Sequence, residues 1–158
     1  MKQFSIARRA TLLLSVALLT ACASGVKLDD VAGKGGTDYS SQPWNDPKSP
    51  LFKRSVYFDF DSYAVKAEYQ ATLQAHANYL KANKDRKIKI EGNTDERGTT
   101  EYNLALGQRR SEAVRKSLSL LGVPASQMEA VSFGKEKPKT QGSNEAAWQE
   151  NRRADIAY

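Results

Sequence analysis

Hydrophobic positions change period repeatedly along this chain, and each change marks an element. Ser55–Phe60 (SVYFDF) alternates, with Val56, Phe58 and Phe60 on one side and Tyr57 and Asp59 on the other, which predicts a strand. Asp61-Ser62 then offers a helix cap. Val65, Tyr69, Leu73, His76, Ala77 and Leu80 recur at helical spacing to about Ala82. Lys87–Glu91 alternates again as a second strand. A polar loop, Asn93–Gly98, leads to a cap at Thr99 or Thr100, and a second helix runs to about Leu121, closed by Gly122 with Pro124 beyond. A helical turn over Ala125–Met128, a strand over Glu129–Phe133, a short helix over Asn144–Gln149 and a strand over Arg152–Ala157 complete the order β-α-β-α-β-(α)-β. The expected class is α/β (α+β), with helices on one face of a mixed four-stranded sheet.

The second helix carries an anomaly. On a wheel at 100° per residue, Leu106, Ala113, Val114, Ser117, Leu120 and Leu121 fall within about a third of the circumference. Arg110 falls in the middle of that stripe, with Asn103 on the same side one turn earlier and Arg109 at its edge. A buried, unpaired charge costs several kcal/mol, so Arg110 needs a partner, and the upstream turn offers Asp95 and Glu96. Two arrangements satisfy it. Arg110 and Asp95 form a structural ion pair, or a turn carboxylate and Arg110 converge as a clamp for a ligand carrying both an ammonium and a carboxylate. The wheel does not separate them.

The first 50 residues follow other rules. Met1–Arg9 contains Lys2, Arg8 and Arg9 and no acid; Ala10–Thr20 is an apolar run of signal-peptide length. Small residues precede the single cysteine in Leu19-Thr20-Ala21-Cys22, a pattern that resembles the bacterial lipobox, where the cysteine is acylated and becomes the new N-terminus. Residues 1–21 are therefore expected to be a signal peptide. Residues 22–50 read as the lipidated Cys22 and a flexible Gly-, Ser- and Pro-rich tether, with residues 51–158 as the folded domain. About 28 tether residues span on the order of 30 Å as a coil and roughly 95 Å when stretched. Trp44 stands out in the tether, and the sequence leaves its placement open.

The chain's formal charge of +6 is partly a leader effect. The leader holds three of the 24 Lys and Arg and none of the 18 Asp and Glu, leaving about +3 on the remainder. No basic run with interleaved aromatics argues for nucleic acid. Enzyme chemistry lacks an inventory. The one histidine lies in an apolar stripe, where it reads as a satisfied core residue, and the one cysteine lies in the lipobox. No Ser–His or Cys–His arrangement, zinc ligand set or phosphate loop emerges, and no cofactor is expected. Asp59/Asp61 could do acid–base work but reads more simply as capping and loop charge.

Thr94–Gly98 (TDERG), followed by Asn103-x-x-Leu106-x-x-x-Arg110, resembles the OmpA-like peptidoglycan-binding domain, most of all that of the peptidoglycan-associated lipoproteins. VYFDFDSY (Val56–Tyr63), AHANYL (Ala75–Leu80), GKEKP (Gly134–Pro138) and EAAWQENRRADI (Glu145–Ile156) support the resemblance, which covers nearly the whole chain. It implies a non-catalytic domain that holds the diaminopimelate of peptidoglycan stem peptides. Asp95 and Arg110 match the family's binding aspartate and arginine, and Phe60, Asp61, Arg97, Thr99, Asn103 and Leu106 match other pocket positions. It also implies the Tol–Pal system, TolB and the Tol complex as partners, and a role in outer-membrane constriction during cell division. Ala23 after the lipidated cysteine fits a lipid-anchored place in the outer membrane, with the domain facing the periplasm. A wall-binding envelope lipoprotein independent of TolB is the alternative. Asn93 replaces a common His, Thr100 a common Pro and Phe133 a common Tyr, which removes a hydroxyl contact.

Overall fold

The computed structural model describes residues 42–158. Four strands form one sheet in the order β1-β4-β2-β3, where β1 is Ser55–Tyr57, β2 is Ile88–Asn93, β3 is Met128–Gly134 and β4 is Arg153–Ala157. β4 runs antiparallel to both β1 and β2, while β2 and β3 are parallel. The helices are α1, Gln70–Ala82, α2, Thr100–Leu120, and α3, Glu145–Asn151. The expected class and element order are what the structure shows.

α2 lies across β2, β3 and β4, and α1 packs beside it. Period-two alternation on β2 sets the layers: Ile88 and Ile90 are buried in the core, while Lys89 faces solvent and pairs with Glu129 at 3.8 Å. Val56, Phe58, Leu73, Leu80, Val114, Leu118 and Ile156 fill the same core. His76 is fully buried, with Nε2 2.9 Å from the Lys53 carbonyl and Nδ1 2.6 Å from the Tyr158 hydroxyl. A carbonyl only accepts, so Nε2 carries the proton and Nδ1 accepts from Tyr158. It is the satisfied core histidine expected.

Several expectations change. β1 ends at Tyr57 rather than Phe60, because the chain turns at Asp59–Ser62 with Asp61 in the left-handed region (φ 52°). Phe60 therefore leaves the inner face and is 62% exposed. Asp61-Ser62 caps no helix. A 3-10 turn over Ala67–Tyr69 leads into α1, and the Ser62 carbonyl, which a helix would have used, accepts from Arg110 instead. On α2 the buried face is Asn103, Leu106, Gly107, Arg110, Ser111, Val114 and Leu118, and Leu120 is 80% exposed. The apolar pattern missed this rotation because small and polar residues, Gly107 and Ser111, carry the closest approach to the sheet.

Packing also reaches ahead of the boundary expected at residue 51. Trp44 is buried, stacked on Tyr158 with ring centres 4.3 Å apart and edge-on to Tyr79, and Arg86 lies over its ring. Leu51 is buried too. The residues from Trp44 to Leu51 thus belong to the domain rather than to a tether. Cys22, the leader and the first part of the tether lie outside the described residues.

Candidate functional site

The site lies at one edge of the sheet, where β1 and β2 end and β4 begins. β1 and β2 are not neighbours in the sheet. They are separated by β4, but both run antiparallel to it, so their C-terminal ends still share an edge. Phe60 and Asp61 follow β1, Thr94 to Gly98 follow β2, and Asn103, Leu106 and Arg110 descend from α2.

Arg110 is fully buried, and its guanidinium is held by main chain rather than by a carboxylate. Nε donates to the Ser62 carbonyl at 2.8 Å, one terminal nitrogen to the Asn93 carbonyl at 2.9 Å and the other to the Asp59 carbonyl at 3.2 Å. Neither the Arg110–Asp95 ion pair nor a guanidinium wholly free for a ligand describes it. Three of its five N–H groups are spent, one per nitrogen, leaving one N–H on each terminal nitrogen. Burial lowers its pKa to about 10, so it stays charged at neutral pH.

Asp95, 5% exposed, is occupied by two other arginines. Its Oδ1 accepts from the Arg97 main-chain N–H at 3.1 Å and from Arg97 Nε at 3.2 Å. Its Oδ2 accepts from Arg97 at 2.6 Å and from the buried Arg152 at 3.4 Å. Burial alone would raise the Asp95 pKa, but the hydrogen bonds and charge of Arg97, with Arg152, outweigh it and hold the carboxyl below its usual range. Arg97 is itself stacked. Its guanidinium carbon lies 4.2 Å from the Phe60 ring centre and 4.0 Å from that of Trp148. Trp148 Nε1 donates to Glu96 at 3.0 Å.

Asp61 differs from Asp95. One of its oxygens accepts from the Tyr102 hydroxyl, and the other has no hydrogen-bond partner among the described residues. Its left-handed backbone turns the residue back toward α2, a conformation that Asp adopts more readily than most side chains. Asn103 Nδ2 donates to the Arg97 and Thr99 carbonyls at 2.9 and 3.0 Å, pinning the loop to the start of α2. The Asn93 amide, at the position of a common His, donates locally to the Glu91 carbonyl at 3.0 Å.

These groups enclose a cavity of about 230 Å³ lined by Phe60, Asp61, Asp95, Arg97, Asn103, Leu106 and Arg110, with Thr94, Gly98 and Tyr102. Of the expected pocket residues, Thr99 alone is not in the lining; its hydroxyl caps α2 by accepting from the Tyr102 N–H at 3.2 Å. Sequence reasoning did not single out Tyr102, Trp148 or Arg152. Tyr102 lies one residue before Asn103 and had no visible reason to reach Asp61. Trp148 and Arg152 lie within the EAAWQENRRADI stretch, and only the fold brings them to a loop some 50 residues away. Among the described residues, no group of three or more His, Cys, Asp or Glu is placed to hold a metal ion.

The OmpA family model matches residues 57–152, a span containing every residue that lines the cavity. Peptidoglycan-associated lipoproteins from Pasteurella multocida and Haemophilus influenzae are 49% and 47% identical, each alignment covering 91% of this chain and 92% of the relative. The chain belongs to the peptidoglycan-associated lipoproteins of the OmpA family. The crystal structure of the peptidoglycan-associated lipoprotein from Burkholderia pseudomallei is 68% identical, with a TM-score of 0.72 over 74% of this chain and 99% of that one. The C-terminal domain of Helicobacter pylori MotB, 22% identical with a TM-score of 0.60, shares the fold.

Proposed function

We propose that this protein is an envelope lipoprotein that binds peptidoglycan non-covalently through the diaminopimelate of the stem peptide. One observation carries the reading. A cavity of about 230 Å³ is lined by Asp61, with one carboxylate oxygen unspent, and by the buried Arg110, with two N–H groups unspent, and Phe60 and Leu106 line it too. The end of a diaminopimelate side chain carries an ammonium and a carboxylate on one carbon. Asp61 takes the ammonium, Arg110 takes the carboxylate, and the apolar walls take the methylenes.

The names of the relatives support the peptidoglycan reading. The family resemblance supports the finer one: acylation at Cys22, an outer-membrane anchor, TolB and the Tol complex as partners, and a part in membrane constriction at division. Multiple acyl chains hold such an anchor stably, at about 0.8 kcal/mol per buried CH₂. Many anchored copies facing one wall engage it multivalently, so each single grip can be modest.

Sedimentation of the full chain with isolated sacculi tests the core of the reading. Wild type should co-sediment and Asp61→Asn should stay in the supernatant. Equal sedimentation of the two overturns the assignment of the cavity. Recovery of TolB from cross-linked cells, and loss of membrane fractionation in Cys22→Ser, test the partner and the anchor.

A further inference from the structure

The two ends of the sheet differ in charge. β4 starts beside the cavity and, after five residues or roughly 17 Å, finishes next to Tyr158 at the far end. Ala157 pairs with Lys89, so this far end is also where β2 begins and where residues 81–87 (KANKDRK) lead from α1 into it. Lys81, Lys84, Arg86 and Lys87 in that stretch are all exposed, and exposed Lys53 joins them just before β1. None of these cations has an ion pair among the described residues. Asp85 is the one acid in the stretch, and Glu129 nearby is paired with Lys89. The cavity end is the reverse. Asp61, Glu96 and Glu101 are exposed there, while Lys66 and Lys137 are spent on Asp59 and Glu91.

The basic end is held in shape from inside. The amide nitrogen of Gln127, a buried residue, donates to the Leu80, Asn83 and Arg86 carbonyls at 3.0, 3.0 and 2.9 Å, which fixes the backbone of the turn. Arg86 then lies over the Trp44 ring, 5.0 Å from its centre, and Trp44 is stacked on Tyr158. The chain therefore enters the domain at this end, away from the cavity. Cys22 lies about 20 residues before Trp44, so a chain anchored there brings its basic end to the lipid first.

Resting on the anchored reading above, we propose that this basic end is a docking surface for the anionic phospholipid headgroups of the leaflet that holds the anchor. Lys and Arg side chains are drawn to such a surface within a Debye length, about 8 Å at physiological ionic strength. The acids around the cavity are repelled by it. The docked domain stands with its basic end on the lipid and its cavity turned toward the wall. An acidic protein surface would attract the same cations, but the entry of the chain at this end favours the leaflet.

The test uses residues 22–158 with Cys22→Ser, which keep the whole described domain and carry no acyl chain, so that any membrane affinity belongs to the domain surface. Flotation compares vesicles of phosphatidylethanolamine and phosphatidylglycerol with vesicles of phosphatidylcholine. The chain should bind the anionic vesicles, more tightly at low salt, and ignore the neutral ones. Lys84→Gln combined with Lys87→Gln should weaken binding roughly 25-fold, on the order of fivefold per charge. Lys137→Gln combined with Lys139→Gln removes the same charge from the cavity end and should change binding little. Equal weakening by the two double variants, or equal binding to both kinds of vesicle, overturns the proposal. So does a chain that ignores the anionic vesicles, which would leave the turn to an acidic protein partner. Absence of an acyl mass on Cys22 in chain purified from cells would instead overturn the anchor reading and leave the vesicle result standing.

Discussion

The carbonyl oxygen of Gly107 on α2 sits where a side chain on Gly92 of β2 would begin. A Cβ built on Gly92 would lie 1.8 Å from that oxygen, and one on Gly107 would lie 2.3 Å from Ser132 Oγ. This contact lets α2 come close enough for Arg110 to reach the Asn93 carbonyl at the end of β2. Gly92→Ala cannot be absorbed by a side-chain shift, since the opposing atom is backbone. It should cost about 3 kcal/mol or more, at the upper end for overpacking, and thermal unfolding of the variant should show it.

Asp61 and Asp95, both expected to receive an ammonium, should behave differently. Asp61→Asn keeps a residue that tolerates φ 52° and removes only the charge, so stability should change by about 0.5 kcal/mol or less while binding to sacculi is lost. Asp95→Asn breaks the ion pairs to Arg97 at 2.6 Å and to the buried Arg152 at 3.4 Å, of which Arg152 keeps Glu145 at 2.6 Å, and should cost about 1–3 kcal/mol. Chemical denaturation beside sacculus sedimentation separates the two roles.

Arg110→Lys should fail in both assays. One ammonium cannot span the Ser62, Asn93 and Asp59 carbonyls, and leaving two of them unpaired costs about 2–4 kcal/mol. A variant that loses binding but unfolds at the wild-type midpoint would show that the carbonyl contacts carry no stability.

Trp44→Ala should destabilise the domain by about 3 kcal/mol, because it removes the ring stacked on Tyr158 and the surface beneath Arg86. Trp44→Phe should cost far less. Equal midpoints for wild type and Trp44→Ala would mean that the segment before β1 is carried passively.

Acid should weaken the fold in two separate windows. Burial lowers the pKa of His76 from its usual 6.5, so between the lowered value and 6.5 the unfolded chain binds more protons. Stability there rises with pH and falls as pH drops below 6.5. The Asp95 pKa is held below its usual 3.8, so its contribution is present above that value and is lost as pH falls further. Denaturation midpoints should decline from pH 7 to pH 5 in wild type and much less in His76→Gln, with the Asp95 loss appearing only below about pH 4.

Local chemistry made much of this molecule legible in advance. Alternation found the strands, and helical spacing with Thr99, Gly122 and Pro124 bounded α2. The wheel picked out Arg110 because a charge inside an apolar stripe is costly wherever the chain goes. The sequence by itself therefore determined the element order, the core histidine and the residues worth watching at the cavity. It could not say what Arg110 would bond to, because its partners are backbone carbonyls, which every residue possesses and no side-chain pattern marks. Nor could it assign Asp95 to Arg97 and Arg152, bring Trp148 to Arg97, or turn Phe60 outward, since each depends on strand order or on a turn that spends its hydrogen bonds elsewhere. Only the tertiary structure decided which of two similar carboxylates remains open. Asp95 and Asp61 carry the same group, and the fold brings two arginines to one and a single tyrosine hydroxyl to the other.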